Sequence, residues 1–348
     1  MLKPQNSLNI HPTRSPLDFS RIKYLILLLT RRCNLRCSYC YNGDEIEADM
    51  SRGQLAQIFE LISPGKGPIH IQLTGGEPTL VPELIEQAVF WALDLKKKSG
   101  RPTTLALQTN GTLITPELAR NFRTWGLEVG VSLDGPPDVN ELTRGGSRDL
   151  MRGLEILGDQ GVPFRVTTVV SKQNALRLHE VPLFLASNPA SRGMGLDLLT
   201  QKGRGGTPAS PGELQMGVKK LKETLGLVNR FRQSPFVLRE LEKVNSAKNG
   251  KFCEIFCEAH RGLSLAVTPT GQMYPCGQAV GENAFCLGTL GEPRRPSKNL
   301  HGVKLKNPDC KNCPLQGFCP GDCPGRLFYN SLEEQILVCN LYQTLFAA

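Results

Sequence analysis

The twelve cysteines of this 348-residue chain constrain its fold more than any other feature. Three lie within residues 33–40, nine within residues 253–339, and none between. A secreted, disulfide-stapled protein begins with a signal peptide. Met1–Ser20 is instead polar and rich in proline, so a cytoplasmic location is expected. In a reducing compartment, tight C-x2-C and C-x3-C pairs read as metal ligands. The fold must therefore carry two metal-binding blocks on either side of a cysteine-free middle.

The first block is Cys33-Asn34-Leu35-Arg36-Cys37-Ser38-Tyr39-Cys40, directly after the apolar run Tyr24–Leu29. Six apolar residues suit a buried strand and are far too few for a membrane span. The thiols then sit on the loop leaving the first strand, where open α/β sheets and barrels place their chemistry. A zinc site usually takes four protein ligands. Three thiols at C-x3-C-x2-C spacing suit a four-iron cluster with one iron open to a small molecule. A zinc or buried-thiol loop is the competing reading of the triplet alone.

Strand and helix patterns alternate from residue 22 to about 200. Apolar strand candidates fall at 24–30, 69–74, 104–109, 128–133, 164–170 and 195–200. The clearest helix spans 82–98, with Pro82 at its start, Glu83 and Glu86 near the positive end and Lys96–Lys98 near the negative end. Its apolar stripe is Leu84, Ile85, Ala88, Val89, Ala92 and Leu95. Thr115 caps another helix beginning at Pro116. Such alternation makes an α/β protein with a parallel sheet, and six units close only partly, as a (β/α)6 TIM-like partial barrel. Gly203–Pro208 reads as a loop, followed by helices from about Pro211 to Phe231 and near 235–247. The expected division is an N-terminal arm over 1–20, a barrel over 21–235 and a cysteine-rich domain over 236–348. The formal charge is +9, yet no Lys/Arg run exceeds three residues (Lys96–Lys98). The charge therefore reads as spread over exposed faces, with neither nucleic acid nor a membrane as partner.

Polar motifs end the strand candidates. Gly75-Gly76-Glu77-Pro78 closes the second: its glycines let the backbone approach a ligand, and Glu77 offers a carboxylate to an ammonium group. Gln108 and Asn110 end the third and offer amides to a ribose or a carboxylate. Ser132 lies near the end of the fourth, within Ser132-Leu133-Asp134-Gly135.

The triplet, the GGEP stretch, Gln108-Thr109-Asn110-Gly111 and Ser132–Gly135 together resemble the radical S-adenosylmethionine (SAM) family. The resemblance implies the same partial barrel, with a [4Fe-4S] cluster on Cys33, Cys37 and Cys40. It implies a SAM cradle made by Gly75, Gly76, Glu77, Pro78, Gln108, Asn110 and Ser132, with Arg144 as carboxylate partner. Tyr39 packs on the adenine in this reading, or else simply in the core. Reductive cleavage of SAM to a 5′-deoxyadenosyl radical is implied, with a flavodoxin or ferredoxin as one-electron reductant.

The second block begins at Cys253 and Cys257, then continues through a hairpin pattern over Gly262–Cys276. Cys310-x2-Cys313-x5-Cys319-x3-Cys323 follows, and Cys339 comes last. This order resembles the SPASM extension of radical SAM enzymes, which carries two auxiliary [4Fe-4S] clusters. The resemblance assigns one to Cys253, Cys257, Cys276 and Cys323, and the other to Cys310, Cys313, Cys319 and Cys339, making three clusters in all. A pair of zinc ribbons is the alternative that spacing leaves open. Cys286 is left over. The reading adopted is a buried thiol acting as a small hydrophobe; a cluster ligand and a hydrogen-atom donor remain alternatives.

SPASM relatives modify ribosomally made peptides, through thioether or carbon–carbon crosslinks, or mature sulfatases. A peptide or protein substrate is therefore expected. Sulfatase maturation is the alternative, with one departure: Gly277 follows Cys276 where those relatives carry an Asp base. The first strand begins near residue 24, which leaves no room for a leader-binding domain and implies a separate recognition protein or direct recognition of the core peptide. A zinc-ribbon nucleic-acid-binding protein and an electron carrier that never cleaves SAM are the readings from other classes.

Overall fold

The computed structural model describes residues 17–43, 49–249, 256–305, 307–319 and 321–347. Most of the expected arm and Cys253 lie outside the described residues. Six parallel strands form the middle of the sheet: β1 (Tyr24–Thr30), β2 (Ile69–Gly75), β3 (Thr103–Thr109), β4 (Glu128–Ser132), β5 (Phe164–Val170) and β6 (Ser191–Leu198). Between them run α1 (Arg52–Ile62), α2 (Pro82–Ser99), α3 (Pro116–Trp125), α4 (Pro137–Thr143), α5 (Ser147–Asp159) and α6 (Glu180–Phe184). The sheet stays open, so the partial barrel expected from six units is what forms.

The sequence signals act where they stand. Pro82 opens α2, and Gly100 ends it in the left-handed region at φ 65°. The buried side chains of α2 are the six of the expected stripe. The Thr115 side chain accepts from the Leu118 N–H and caps α3. Along β1 the faces alternate. Leu25, Leu27 and Leu29 enter the main core, whereas Leu28 belongs to a second apolar cluster on the other face.

The expected boundary at residue 235 is not a break in the sheet. β7 (Val237–Leu238) pairs with β6 at one edge. At the other, β8 (Ser264–Val267) runs parallel to β1, with Tyr24 opposite Ser264. β9 (Met273–Tyr274) then pairs antiparallel with β8. The strand order is β7-β6-β5-β4-β3-β2-β1-β8-β9. The expected hairpin thus extends the barrel wall beside the strand that leads to the first cysteines. α7 (Pro211–Asn229), α8 (Arg239–Lys248), α9 (Pro324–Tyr329) and α10 (Leu332–Ala347) complete the fold, and α10 packs on α7 and α8. Among the described residues, no helix is long and apolar enough to cross a membrane.

Candidate active site

A register shift between Leu28 and Thr30 sets Thr30 opposite Gly75 at the end of β1 and β2. This brings the GGEP turn directly against the cysteine loop. Gly76 N–H donates to Thr30 O at 2.8 Å, and Glu77 N–H to Arg32 O at 2.9 Å. A Cβ on Gly76 would lie 2.2 Å from Arg32 O, and backbone cannot yield there as a flexible side chain can. The glycines are thus required by the approach of the cysteine loop itself. Gly76→Ala is expected to cost about 1–3 kcal/mol of stability through overpacking, seen as a lower denaturation midpoint with weaker SAM binding by calorimetry.

The strand ends and the cysteine loop enclose a cavity of about 420 Å³. Cys33, Cys37 and Cys40 all line it. So do Tyr39, Gly75, Gly76, Gln108, Asn110, Ser132 and Arg144. Most of the residues singled out from sequence therefore meet in one place. A larger cavity of about 670 Å³ lies toward the opposite strand ends and holds none of the thiols. The two share Gln72, Gln108, Thr167 and Arg239, so they meet inside the barrel.

Glu77 and Pro78 do not line the cavity. The Glu77 side chain is fully buried. Its Oε1 accepts from Thr79 N–H at 3.0 Å, the Thr79 hydroxyl at 2.6 Å and the Thr109 hydroxyl at 2.6 Å. Its Oε2 accepts from Asn110 N–H at 2.6 Å. Burial pushes this carboxyl up, against the pull of those donors, of which the Asn110 N–H is the strongest. The carboxylate expected to meet an ammonium group is engaged here in tying β2 to β3. Pro78 is buried at the start of a short 3-10 turn that Glu77 caps. The Asn110 amide likewise bonds within the loops, to Asn34 and Thr112.

Arg144 is almost buried and bonds Asp134 Oδ1 at 3.1 Å. Burial opposes its charge, but Asp134, Tyr39 and Cys37 outweigh that and hold the guanidinium above its ordinary value. Its carbon Cζ sits 5.4 Å from the Tyr39 ring centroid, and the Tyr39 hydroxyl donates to Asp134. Arg144 Nε is buried with no hydrogen-bond partner. A cavity-lining cation with an orphaned donor fits a carboxylate ligand. Gln108 Nε2 donates to the Ser132 hydroxyl at 3.1 Å, which aligns both along the wall. The glycine-rich loop after β6 closes over the cysteines: Arg204 N–H donates to Cys40 O at 3.0 Å, and its Nη1 to Cys37 O at 2.9 Å.

The second block gathers as two sets. Burial pushes the Cys276 thiol up to about 11, with Cys257 adding to it. Cys323 is pushed up further by burial, then by Cys276 and, less, Cys257. Cys319 is raised to about 11 by burial, then by Cys339, Cys313 and Cys310. The charges of Cys257, Cys276 and Cys323 thus act on one another, as do separately those of Cys310, Cys313, Cys319 and Cys339. Asn307 Nδ2 donates to Cys339 Sγ at 3.3 Å, and Gly321 N–H to Cys319 Sγ at 3.4 Å. Cys286 joins neither set. It is 4% exposed within the apolar cluster of Leu28, Ala266, Tyr274 and Phe285. All the described cysteines are free thiols. Among the described residues no three ligand side chains converge on a point that one ion would occupy. A four-iron cluster does not need that convergence, because its thiolates bind separate irons.

The sequence reading missed several cavity residues. Asp197 is the one carboxylate lining the cavity among the described residues, and Arg239 Nη2 donates to its Oδ1 at 2.7 Å. Neither lies in a motif, and only the pairing of β6 with β7 brings them together. Tyr41 is half-buried between the two cysteine blocks: desolvation raises its phenol, followed by the charges of Cys40 and Cys276. Its position directly after Cys40 was the only available signal.

Residues 27–181 match the family model described as the Radical SAM superfamily. An uncharacterized protein of Methanocaldococcus jannaschii is 29% identical, over 85% of this chain and 96% of the relative. The AdoMet-dependent heme synthase of Oleidesulfovibrio alaskensis is 27% identical, over 86% and 82%. The cysteine-type anaerobic sulfatase-maturating enzyme of Clostridium perfringens is 24% identical, over 92% and 93%. The solved structure of native anSMEcpe with bound AdoMet and Cp18Cys peptide has the same fold: TM-score 0.75, 23% identity, 94% of this chain and 96% of that one. Residues 27–181 carry a radical SAM domain, and the protein is an enzyme.

Proposed function

We propose that this enzyme is a SPASM-type peptide or protein maturase. The observation that carries the reading is the convergence of Cys33, Cys37 and Cys40 on one cavity with the GG turn, Ser132 and Arg144, beside two further thiol sets. Cys33, Cys37 and Cys40 would hold a [4Fe-4S] cluster, which would supply the single electron for reductive cleavage of SAM and so the radical chemistry on a substrate C–H bond. Arg144 Nε receives the methionine carboxylate. Gln108 and Ser132 offer hydrogen bonds to the nucleoside. Tyr39, locked between Asp134 and Arg144, forms a rigid wall. The loop carrying Arg204 limits solvent entry, which a primary alkyl radical requires.

In this reading Cys257, Cys276 and Cys323 hold one auxiliary cluster together with Cys253, and Cys310, Cys313, Cys319 and Cys339 hold the other. The loaded enzyme then contains about twelve irons. A flavodoxin or ferredoxin serves as electron donor. A peptide substrate is supported by the sulfatase-maturating relative and by the peptide-bound structure with the same fold. A second reading, a tetrapyrrole substrate, is favoured by the heme-synthase relative. Anaerobic co-expression with short peptides encoded beside the enzyme, followed by mass measurement, separates the two. A peptide whose mass changes only with active enzyme is the expected result. Unchanged peptides, together with turnover of a carboxylated iron porphyrin, would overturn the peptide reading.

A further inference from the structure

Asn110 joins the GGEP turn to the first cysteine through its backbone and its side chain at once. Its N–H is fixed on Glu77 Oε2 at 2.6 Å. Its Oδ1 accepts from Thr112 N–H at 2.9 Å and from the Thr112 hydroxyl at 2.7 Å. A backbone N–H can only donate, so this end of the amide must be the oxygen, and the other end is the NH2 group. That NH2 donates to Asn34 Oδ1 at 2.9 Å and reaches Cys33 Sγ at 3.9 Å. Asn34 Nδ2 closes the ring by donating to the Thr112 hydroxyl at 2.8 Å. Both ends of the Asn110 amide are thus committed, the oxygen to Thr112 and the NH2 to the cysteine loop.

We propose that Asn110 is a positioning residue that tunes the redox potential of the site, placing an N–H on the Cys33 sulfur, with Glu77 holding Asn110 in register. A hydrogen bond to a thiolate ligand disperses negative charge and favours the reduced state of the metal group it binds. Glu77 lies outside the cavity and acts only through the backbone it fixes. The inference rests on the assignment of a cluster to Cys33, Cys37 and Cys40. It gives Glu77 and Asn110 a joint role in electron delivery in place of direct contact with SAM.

The test is an EPR-monitored redox titration of the anaerobically reconstituted full chain, following the signal that changes on adding SAM. Asn110→Leu removes the donor, and Asn110→Asp replaces it with a carboxylate. Both are expected to keep wild-type iron content and shift the midpoint to lower potential, Asp further than Leu. Glu77→Gln should shift it the same way by less. A wild-type midpoint in iron-replete Asn110→Leu overturns the proposal. If Asn110→Leu does not load iron, Glu77→Gln decides: a lowered midpoint upholds the proposal and an unchanged one overturns it. A purely structural role would lower iron content without moving the midpoint of the loaded fraction, which also counts against it. Failure of the underlying cluster assignment reads differently, because the SAM-responsive signal would then survive when Cys33, Cys37 and Cys40 are all replaced.

Discussion

Replacing Cys33, Cys37 and Cys40 together by Ala is expected to remove about four irons from the reconstituted enzyme and to abolish 5′-deoxyadenosine formation. The three thiols line one cavity, none is in a disulfide, and Cys33 is exposed, so the fold does not depend on them. The strands on either side are held by the parallel ladder between β1 and β2 and by the main core, and should survive the replacement. Iron analysis and chromatographic assay of 5′-deoxyadenosine check it, with circular dichroism as the control for folding. Continued SAM cleavage by the triple variant would sink the assignment. Loss of all iron would show that the auxiliary sets depend on the first.

The second large effect is expected at Arg326. It is 2% exposed on α9, three residues after Cys323. Its Nη2 pairs with Asp322, itself nearly buried, and its Nη1 donates to Glu334 O at 2.9 Å in α10. Asp322 Oδ1 in turn accepts from Cys323 N–H at 2.8 Å. Burial raises the Asp322 carboxyl despite Arg326, so loss of the cation leaves a buried charge with no counterpart. Arg326→Ala should cost about 3–5 kcal/mol and lower auxiliary iron, since the pair fixes Cys323 against the helix that bears Cys339. Replacing both partners by apolar residues should be far milder, because a matched buried pair gains little over good packing. Denaturant midpoints of the two single variants and the double variant test this. A single variant as stable as wild type would refute it.

Parts of the barrel are legible in the sequence. β1 and β5 fall where the apolar runs place them, and α2 buries the six residues of its stripe. Local rules suffice there, because a strand or helix with one buried face writes its period into the sequence. For β6 the apolar residues point to 195–200, whereas the strand spans Ser191–Leu198. Its first half, Ser-Arg-Gly-Met-Gly, carries no apolar run. Gly193 is there because Val237 O would lie 2.2 Å from a Cβ, and Gly195 because the Arg239 guanidinium lies across it. Both neighbours come from about forty residues further on, so no local pattern announces them.

The same distinction separates the site residues. Cysteine spacing alone places the first three thiols on one loop, because ligands of one group on a short segment must be close in sequence. It cannot say which way Glu77 points. The motif is the one expected, yet the carboxylate turns to Thr79, Thr109 and Asn110, where four donors satisfy it away from water. Nor can it show that the hairpin at Ser264–Tyr274 continues the barrel sheet beside β1, or that Asp197 and Arg239 meet in the cavity. Residue type and spacing determined the class of chemistry and the strands that carry it. The direction of each polar side chain, and the residues joined across the barrel, depended on long-range packing and on which donors burial left in need of a partner.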